Sequence, residues 1–233
     1  MSTRRRAASG LVAVLLLLPW PIDGGWQLPA RWNPWAPLDV SEPPSLLTGY
    51  KLARAAADGD RCLDALVSGG WAAEPVPATR TEPGCGLDGA VRTTPRDAEA
   101  RALLPPVVLS CPAALSLSMW LRHVVAPATE RHYGGRLARI EHLGTYACRD
   151  IEGRAGRRSE HASAGAIDIS AFVLAGGRKV AVARGWQGGA DGAFLREVHE
   201  GACRFFRGVL GPDYNRAHAD HFHLDRGPYR ICR

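Results

Sequence analysis

The sequence of 233 residues lacks several features that would assign it to a familiar class of protein. No internal repeat indicates a solenoid. No cysteine pair has the Cys-x-x-Cys spacing of a structural zinc site. The basic residues are not interleaved with aromatic ones, so the formal net charge of +6 favours an anionic surface or polymer nearby and predicts no nucleic-acid partner.

A long apolar run is also missing. The apolar run Leu11–Leu18 follows Arg4–Arg6 and is ended by Pro19. It is shorter than the about 20 residues that a membrane-spanning helix needs. A basic segment before a short apolar run is typical of a secretory signal. Residues 1–25 are therefore predicted to be a signal peptide, and the protein is expected to be exported to the periplasm or cell envelope. The alternative is an uncleaved N-terminal anchor, which would give membrane association at the inner membrane.

Residues 26–45 are rich in proline and tryptophan, which predicts an extended tether before a single domain over residues 46–233. The tryptophans would lie at a membrane interface, bind glycan or pack against the domain. The six cysteines of an exported chain predict up to three disulfides. Sequence alone does not select the pairing, and the working assignment is Cys62–Cys85, Cys111–Cys148 and Cys203–Cys232.

Helical and strand-like segments alternate irregularly, which indicates an α+β fold: a small, mostly antiparallel sheet with helices packed on one side, stapled by disulfides. Helices are predicted at Tyr50–Leu66, at Pro112–Ala126 and from an Asp191 cap to about Phe206. Strands are predicted at Val107–Leu109, Arg139–Tyr146, Ala166–Val173 and Lys179–Val182, and a loop follows Gly69 and Gly70.

Residues His218–Asp225 contain three of the eight histidines of the chain. If this run is extended, its period of two places His221, His223 and Asp225 on one face, with two apolar residues facing the core.

A second polar stretch contains His161 and Asp168. Alternation from Ala166 onward predicts a strand with Asp168 on one face and, on the other face, Ile167, Ile169, Ala171 and Val173. Two histidines and an aspartate are a frequent ligand set for hydrolytic zinc. The alternative is that His161 is an ordinary hydrogen-bonded histidine and Asp168 a solvent-facing strand residue.

The spacing Ser159-x-His161-(x)6-Asp168 resembles a motif of the zinc D-Ala-D-Ala carboxypeptidase and murein endopeptidase superfamily. The run His218-x-x-His221-x-His223 resembles the end motif of its penicillin-insensitive murein endopeptidase branch. The chain is most similar to the bacterial extensin-like C-terminal domain family, over roughly residues 50 to 233. Further segments carry that resemblance: Tyr146-x-Cys148-Arg149, Ala202-Cys203, Val209–Asp213 and Ile231–Arg233.

The resemblance implies Zn²⁺ as cofactor, with ligands His161, Asp168 and His223. One departure is Ala164, at the position three after the first histidine where the superfamily commonly has glycine, so the loop is expected to differ in shape.

The resemblance also implies catalytic roles for nearby residues. His221 would stabilise the oxyanion, and either Asp220 or His218 would be the general base. Arg149 would bind a substrate carboxylate or stabilise developing charge.

Together these features predict a zinc peptidase that hydrolyses peptide bonds in peptidoglycan stem peptides or cross-links, as a carboxypeptidase or an endopeptidase. The alternatives are an envelope protein that binds zinc and cell-wall peptides without cleaving them, and a purely structural domain. A nucleophilic hydrolase is disfavoured, because Ser159 and Ser163 are not in a nucleophile-elbow pattern.

Overall fold

The N-terminal part of the domain combines two helices with short strands. The computed structural model describes residues 28–96 and 104–233. The elements of this part are α1 Thr48–Ala56, α2 Gly59–Ser68, β1 Ala72–Pro75, β2 Arg80–Glu82, β3 Cys85–Gly86, β4 Ala90–Thr94 and β5 Val107–Ser110. Strands β1, β4 and β5 form an antiparallel sheet, and β2 and β3 form a hairpin.

Two predictions for this part are wrong. The helix predicted over Tyr50–Leu66 is two helices, because Asp58 is extended and its carboxylate accepts a hydrogen bond from the Arg61 amide at 3.1 Å, which caps α2. The loop predicted after Gly69 contains strands β1, β2 and β3, whose pairing depends on distant residues.

The C-terminal part is built on a six-stranded sheet. Its elements are α3 Cys111–Trp120, a π turn Leu121–Val125, α4 Ala126–Tyr133, β6 Leu137–Gly144, β7 Asp150–Ile151, β8 Arg154–Arg158, a 3-10 turn Glu160–Ser163, β9 Ala166–Leu174, β10 Lys179–Ala181, α5 Val182–Gly185, α6 Gly189–Ala202, β11 Gly208–Leu210, a 3-10 turn Arg216–His218, β12 Phe222–Asp225 and β13 Ile231–Cys232. Strands β6 and β9 to β13 form the sheet, in which only the pairing of β11 with β13 is parallel. The predicted α+β class is confirmed.

Strand β9 is the centre of this sheet. It pairs with β6 along one edge, while its other edge pairs first with β12 and then with β10. The β12 pairing reaches Ile169, and the β10 pairing starts at Ala171. Ser170 therefore lies where β12 and β10 separate.

The predicted alternation along β9 fails after Ile169. Phe172 belongs to the main apolar cluster, whereas Ala171 and Val173 are buried but lie outside that cluster. The pairing with β6 moves from Ala171 to Ile169 over a single step of β6, which leaves Ser170 as an extra residue. Such a β-bulge shifts the phase of the side chains, so Ser170 and Ala171 both follow Asp168 on the outer face.

The inner face of β9 packs against helices. The Phe172 ring lies 6.0 Å from Trp120 of α3 and 5.2 Å from Phe194 of α6, measured between ring centroids. The indole N–H of Trp120 donates a hydrogen bond to the Val198 carbonyl at 2.8 Å. Helix α3 is buried on all sides and is therefore a core helix.

Two helix boundaries differ from prediction. The helix predicted to end at Ala126 continues through the π turn to Tyr133, because Pro127 lies in the first turn of α4, where its missing N–H costs little. Helix α6 begins at Gly189, which places Asp191 inside its first turn instead of at its cap, and it ends at Ala202.

Residues 28–45 pack along α1. The Lys51 ammonium donates to the Ala30 carbonyl at 2.6 Å, and Arg54 donates to the carbonyls of Pro34 and Trp35. Val40 is 1 % exposed. The segment therefore packs against the domain mainly through its backbone and Val40, whereas Trp32 and Trp35 are exposed. The predicted signal segment, residues 1–25, lies outside the described residues, and none of the helices within 28–96 and 104–233 is long and apolar enough to cross a membrane.

All six cysteines form disulfides, but two of the three assumed pairs are wrong. The pairs are Cys62–Cys111, Cys85–Cys148 and Cys203–Cys232. Helix α2 packs against α3, which brings Cys62 to the start of α3, and the β2–β3 hairpin packs beside the 3-10 turn Glu160–Ser163. Long-range packing therefore determines these two bonds, and three disulfides are typical of an exported protein.

Candidate metal centre

His161 is held by the segments on either side of it. The hydroxyl of Ser159 caps the 3-10 turn by accepting a hydrogen bond from the His161 amide at 3.4 Å. The ring is buried, and its Nδ1 lies 3.0 Å from the Thr145 carbonyl oxygen. Because a carbonyl oxygen only accepts, Nδ1 carries the proton and Nε2 keeps a free lone pair.

Asp168 and His223 are direct partners on β9 and β12, so their side chains lie on the same face. Asp168 Oδ1 is 3.0 Å from His223 Nδ1, and Asp168 Oδ2 is 3.1 Å from His161 Nε2. The two ring nitrogens are 3.2 Å apart. The structure thus brings together the three residues that the sequence indicates as ligands.

A second carboxylate orients His223. Asp225 Oδ2 lies 3.0 Å from His223 Nε2, so the Nε2–H group donates a hydrogen bond to Asp225. The lone pair of Nδ1 then faces Asp168. Asp225 itself is fixed by the Gly227 amide, which donates to Oδ1 at 2.7 Å. Strand β11 leaves room for this carboxylate, because a Cβ on Gly208 would come within 2.0 Å of Asp225 Oδ2. The period of two in the sequence places Asp225 on the same face as His223, but it does not indicate the role of Asp225.

The donor set fits a zinc ion. Two imidazole lone pairs and one carboxylate face one another, which is unfavourable unless a cation lies between them. In tetrahedral zinc the N and O ligands are about 2.0–2.1 Å from the metal and therefore about 3.3 Å from each other. The observed separations of 3.0, 3.1 and 3.2 Å are close to that value.

The electrostatics of the site also favour a cation. Burial raises the pKa of Asp168, but His161 and His223, when either ring carries a proton toward it, outweigh burial and hold that pKa well below its usual range. Burial lowers the pKa of His223, but Asp168 and Asp225 outweigh it and raise the pKa to about 9. A positive charge between Asp168 and Asp225 is therefore stabilised, whether a proton or a metal supplies it.

A second group with ligand-type side chains does not have suitable chemistry. Glu82 lies close to Cys85 and Cys148. These cysteines are joined in a disulfide, which leaves no thiolate to bind a metal.

Residues 60–233 match the family model described as "Extensin-like protein C-terminus". The chain belongs to this family. Searches of curated proteins and of solved structures gave no match. The match covers all strands of the main sheet and all three candidate ligands of this extensin-like domain.

His221 and Asp220 form a pair at the edge of the metal centre. His221 Nε2 is 3.7 Å from Asp168 Oδ1, and His221 Nδ1 is 2.8 Å from Asp220 Oδ1. The Asp220 side chain is 64 % exposed, so it is turned toward His221 and solvent. His221 therefore presents its Nε2 to the site, and Asp220 orients the ring.

His218 lies beside the candidate metal centre, within electrostatic range of Arg149. The His218 ring centroid is 5.3 Å from that of His221 and 5.8 Å from that of His223. Burial, followed by the charges of His223 and His221, lowers the pKa of His218 to about 4. Arg149 is exposed, and its charge lowers the same pKa further. Neutral His218 thus has a cation nearby at the entrance to the site.

The turn after His161 contains an alanine in the left-handed conformation that glycine favours. Ala164 has a φ of 52°, the only positive φ outside glycine within residues 28–96 and 104–233. Its amide donates to the His161 carbonyl at 3.1 Å, and the next amide, of Gly165, donates to Glu160 at 2.8 Å. Alanine thus adopts a left-handed conformation that glycine takes without strain, at a cost of about 1 kcal/mol.

Replacing Asp225 by asparagine is expected to weaken zinc binding about 10- to 100-fold without unfolding the domain. An amide N–H directed at His223 Nε2 would favour the tautomer with the proton on Nδ1, which removes the lone pair from the site. Zinc affinity measured by competition with a chromophoric chelator tests this. Asp213→Asn is the control, because Asp213 accepts from the Trp186 indole and contacts no candidate ligand. Equal affinities for the two variants would contradict the role given to Asp225.

Proposed function

We propose that this protein is a zinc-dependent peptidase of the cell envelope that hydrolyses peptide bonds in peptidoglycan stem peptides or their cross-links. The observation that carries the proposal is the convergence of His161, Asp168 and His223 donor atoms within 3.2 Å of one another. The choice of substrate is supported by the resemblance of the two histidine motifs to the zinc D-Ala-D-Ala carboxypeptidase and murein endopeptidase superfamily. The disulfides agree with an exported location.

The three ligands would hold the metal on the outer face of β9 and β12. Zinc bound there polarises a scissile carbonyl and lowers the pKa of a water molecule. Asp168 and His223 side chains are 12 % and 11 % exposed, so a ligand reaches them from one side, while His161 is enclosed. This partial burial excludes most solvent and strengthens the electrostatic interactions of the site.

The surrounding residues supply proton transfer and charge stabilisation. Asp220, one of the two predicted bases, accepts from His221 Nδ1, so the His221 Nε2 lone pair faces the site. In place of the oxyanion role predicted for it, His221 would take a proton and return it to the leaving amine, with Asp220 orienting its ring. His218 donates from Nδ1 to the Asn215 amide oxygen at 2.7 Å, so its Nε2 is a second acceptor. Arg149 would bind a carboxylate of the peptide or stabilise the oxyanion.

The test is turnover by the zinc-loaded protein on a synthetic stem pentapeptide and on a cross-linked muropeptide dimer. Release of terminal D-alanine identifies a carboxypeptidase, and conversion of dimer to monomer identifies an endopeptidase. Both activities should disappear with a chelator and return with zinc. Hydrolysis that survives the chelator would contradict the proposal, and bound zinc without product on either substrate would favour the alternative of a non-catalytic zinc- and cell-wall-binding protein.

A further inference from the structure

A cleft with a volume of about 470 Å³ lies on the outer face of β9 and β10, beside the metal centre. Ser170 and Ala181 line its sheet side, and Arg184 and Gly185 of α5 line the opposite side. Asp220 lines the same cleft. None of the proposed catalytic steps uses the β10 and α5 side of this cleft.

The topology of the sheet opens the cleft at this position. Strands β12 and β10 pair with the same edge of β9 and separate at the Ser170 bulge. Small residues on β10 and α5 leave space next to the point where β12 and β10 separate. A Cβ on Gly185 would come within 2.8 Å of Leu195 Cδ1 and 3.2 Å of Asp191 Cβ, so glycine lets α5 and α6 approach without moving these side chains.

Two residues relate the cleft to the candidate metal centre. Ser170 follows Asp168 by two residues on the outer face of β9, a distance of about 7 Å along a strand. Asp220 contributes to the cleft, and its carboxylate also bonds His221 at 2.8 Å. An extended peptide lying in the cleft would therefore bring one of its amides close to Asp168 and His223.

The charges along the cleft are unequal. Lys179 is paired with Glu141, and Asp191 is paired with Arg178. Within residues 28–96 and 104–233, the exposed guanidinium of Arg184 forms no ion pair or hydrogen bond. The cleft thus has an available cation at its α5 end and the Asp220 carboxylate at the end near the metal centre.

We propose that this cleft is a substrate subsite in which Arg184 binds a carboxylate of an anionic peptide. A guanidinium forms paired hydrogen bonds with a carboxylate, which adds orientation as well as affinity. The small residues beside it accept a peptide backbone with short side chains. The subsite selects peptides that carry a carboxylate at a fixed distance from the amide at the metal centre. That the bound peptide is a substrate rests on the hydrolytic function proposed above.

The test compares three synthetic peptides with zinc-loaded full-length protein. The parent is L-Ala-γ-D-Glu-L-Lys-D-Ala-D-Ala; in one derivative the glutamate carboxylate is an amide, and in the other the C-terminal carboxylate is an amide. For wild-type protein, one of the two amidations should weaken binding about tenfold. Arg184→Gln should weaken binding of the parent by a similar factor and lose the preference for that carboxylate. Arg184→Lys should restore part of the affinity.

The control variant is Arg204→Gln, which removes an exposed cation that lies over the Phe205 ring. It should bind all three peptides as the wild type does. The affinity is measured as KM if product forms and as a calorimetric Kd if none forms. The subsite can therefore be tested even if the protein does not hydrolyse the peptides. The subsite is overturned if Arg184→Gln binds the parent as tightly as wild type or keeps the wild-type preference.

Discussion

Replacing Asp168 by asparagine is expected to abolish stable zinc binding and, with it, hydrolysis. The substitution keeps the size of the side chain but removes the negative charge of the carboxylate that contacts both His161 and His223. Loss of a direct ligand should weaken zinc binding by more than about 10- to 100-fold, which is the loss expected for a residue that only orients a ligand through a hydrogen bond. His161→Ala should have the same effect, since it removes the buried Nε2 donor. Metal content after dialysis and turnover on the cross-linked muropeptide measure both outcomes.

Ser170→Ala is the matched control for Asp168→Asn. Ser170 is on the same strand and face, and its hydroxyl donates to the Glu141 carbonyl at 3.2 Å and not to a candidate ligand. Zinc stabilises a folded protein by about 2.7 kcal/mol at 100 times its Kd, so thermal melts with and without zinc give an independent readout. Wild type and Ser170→Ala should show this stabilisation, and Asp168→Asn should not. Retention of zinc by a folded Asp168→Asn variant would remove Asp168 from the ligand set.

Removing the Cys85–Cys148 disulfide by a double serine substitution is expected to cost about 3–4 kcal/mol of unfolding free energy and to weaken zinc binding. The bond joins the β2–β3 hairpin to the segment that holds His161. In that segment the Ala147 amide donates to the His161 carbonyl at 3.1 Å, and the Arg149 carbonyl accepts from the Ser159 amide at 3.0 Å. Release of Cys148 should loosen both contacts. Denaturant unfolding and chelator competition measure the two effects separately.

The Cys203–Cys232 pair supplies the control for this experiment. It closes a separation of 29 residues, against 63 for Cys85–Cys148, so chain entropy predicts a loss smaller by about 0.7 kcal/mol. It joins the end of α6 to β13, away from His161. Its removal should lower stability and leave the zinc affinity of the folded protein unchanged. If both double variants lose zinc affinity equally, the disulfide beside His161 has no special role in positioning that ligand.

The sequence indicates the candidate ligands because their information is local. His161 follows a capping serine, Asp168 alternates with isoleucines on a strand, and His223 alternates with apolar residues on another. Direct pairing of Asp168 with His223 then follows from the sheet register. That register is fixed because the apolar residues that alternate with Asp168 and His223 on the two strands must face the core. The α+β class is predictable for a similar reason, since each helix and strand has its own period.

Features that depend on distant contacts were not predictable. The Thr145 carbonyl that fixes the His161 tautomer carries no side-chain signal. The Ser170 bulge appears only when β6 is aligned with β9, and it reverses the expected positions of Ala171 and Phe172. The pairing of Cys62 with Cys111 requires α2 to lie against α3. In each case the deciding energy is tertiary packing, which the local pattern does not contain.

The most direct test of the account is the zinc content of wild-type protein that is produced without a histidine tag and purified without a chelator. The convergence of His161, Asp168 and His223 predicts about one zinc ion per chain, lost in Asp168→Asn and retained in Ser170→Ala. Folded wild-type protein that contains no zinc and takes up none at micromolar concentrations would contradict the metal centre and the proposed hydrolysis with it.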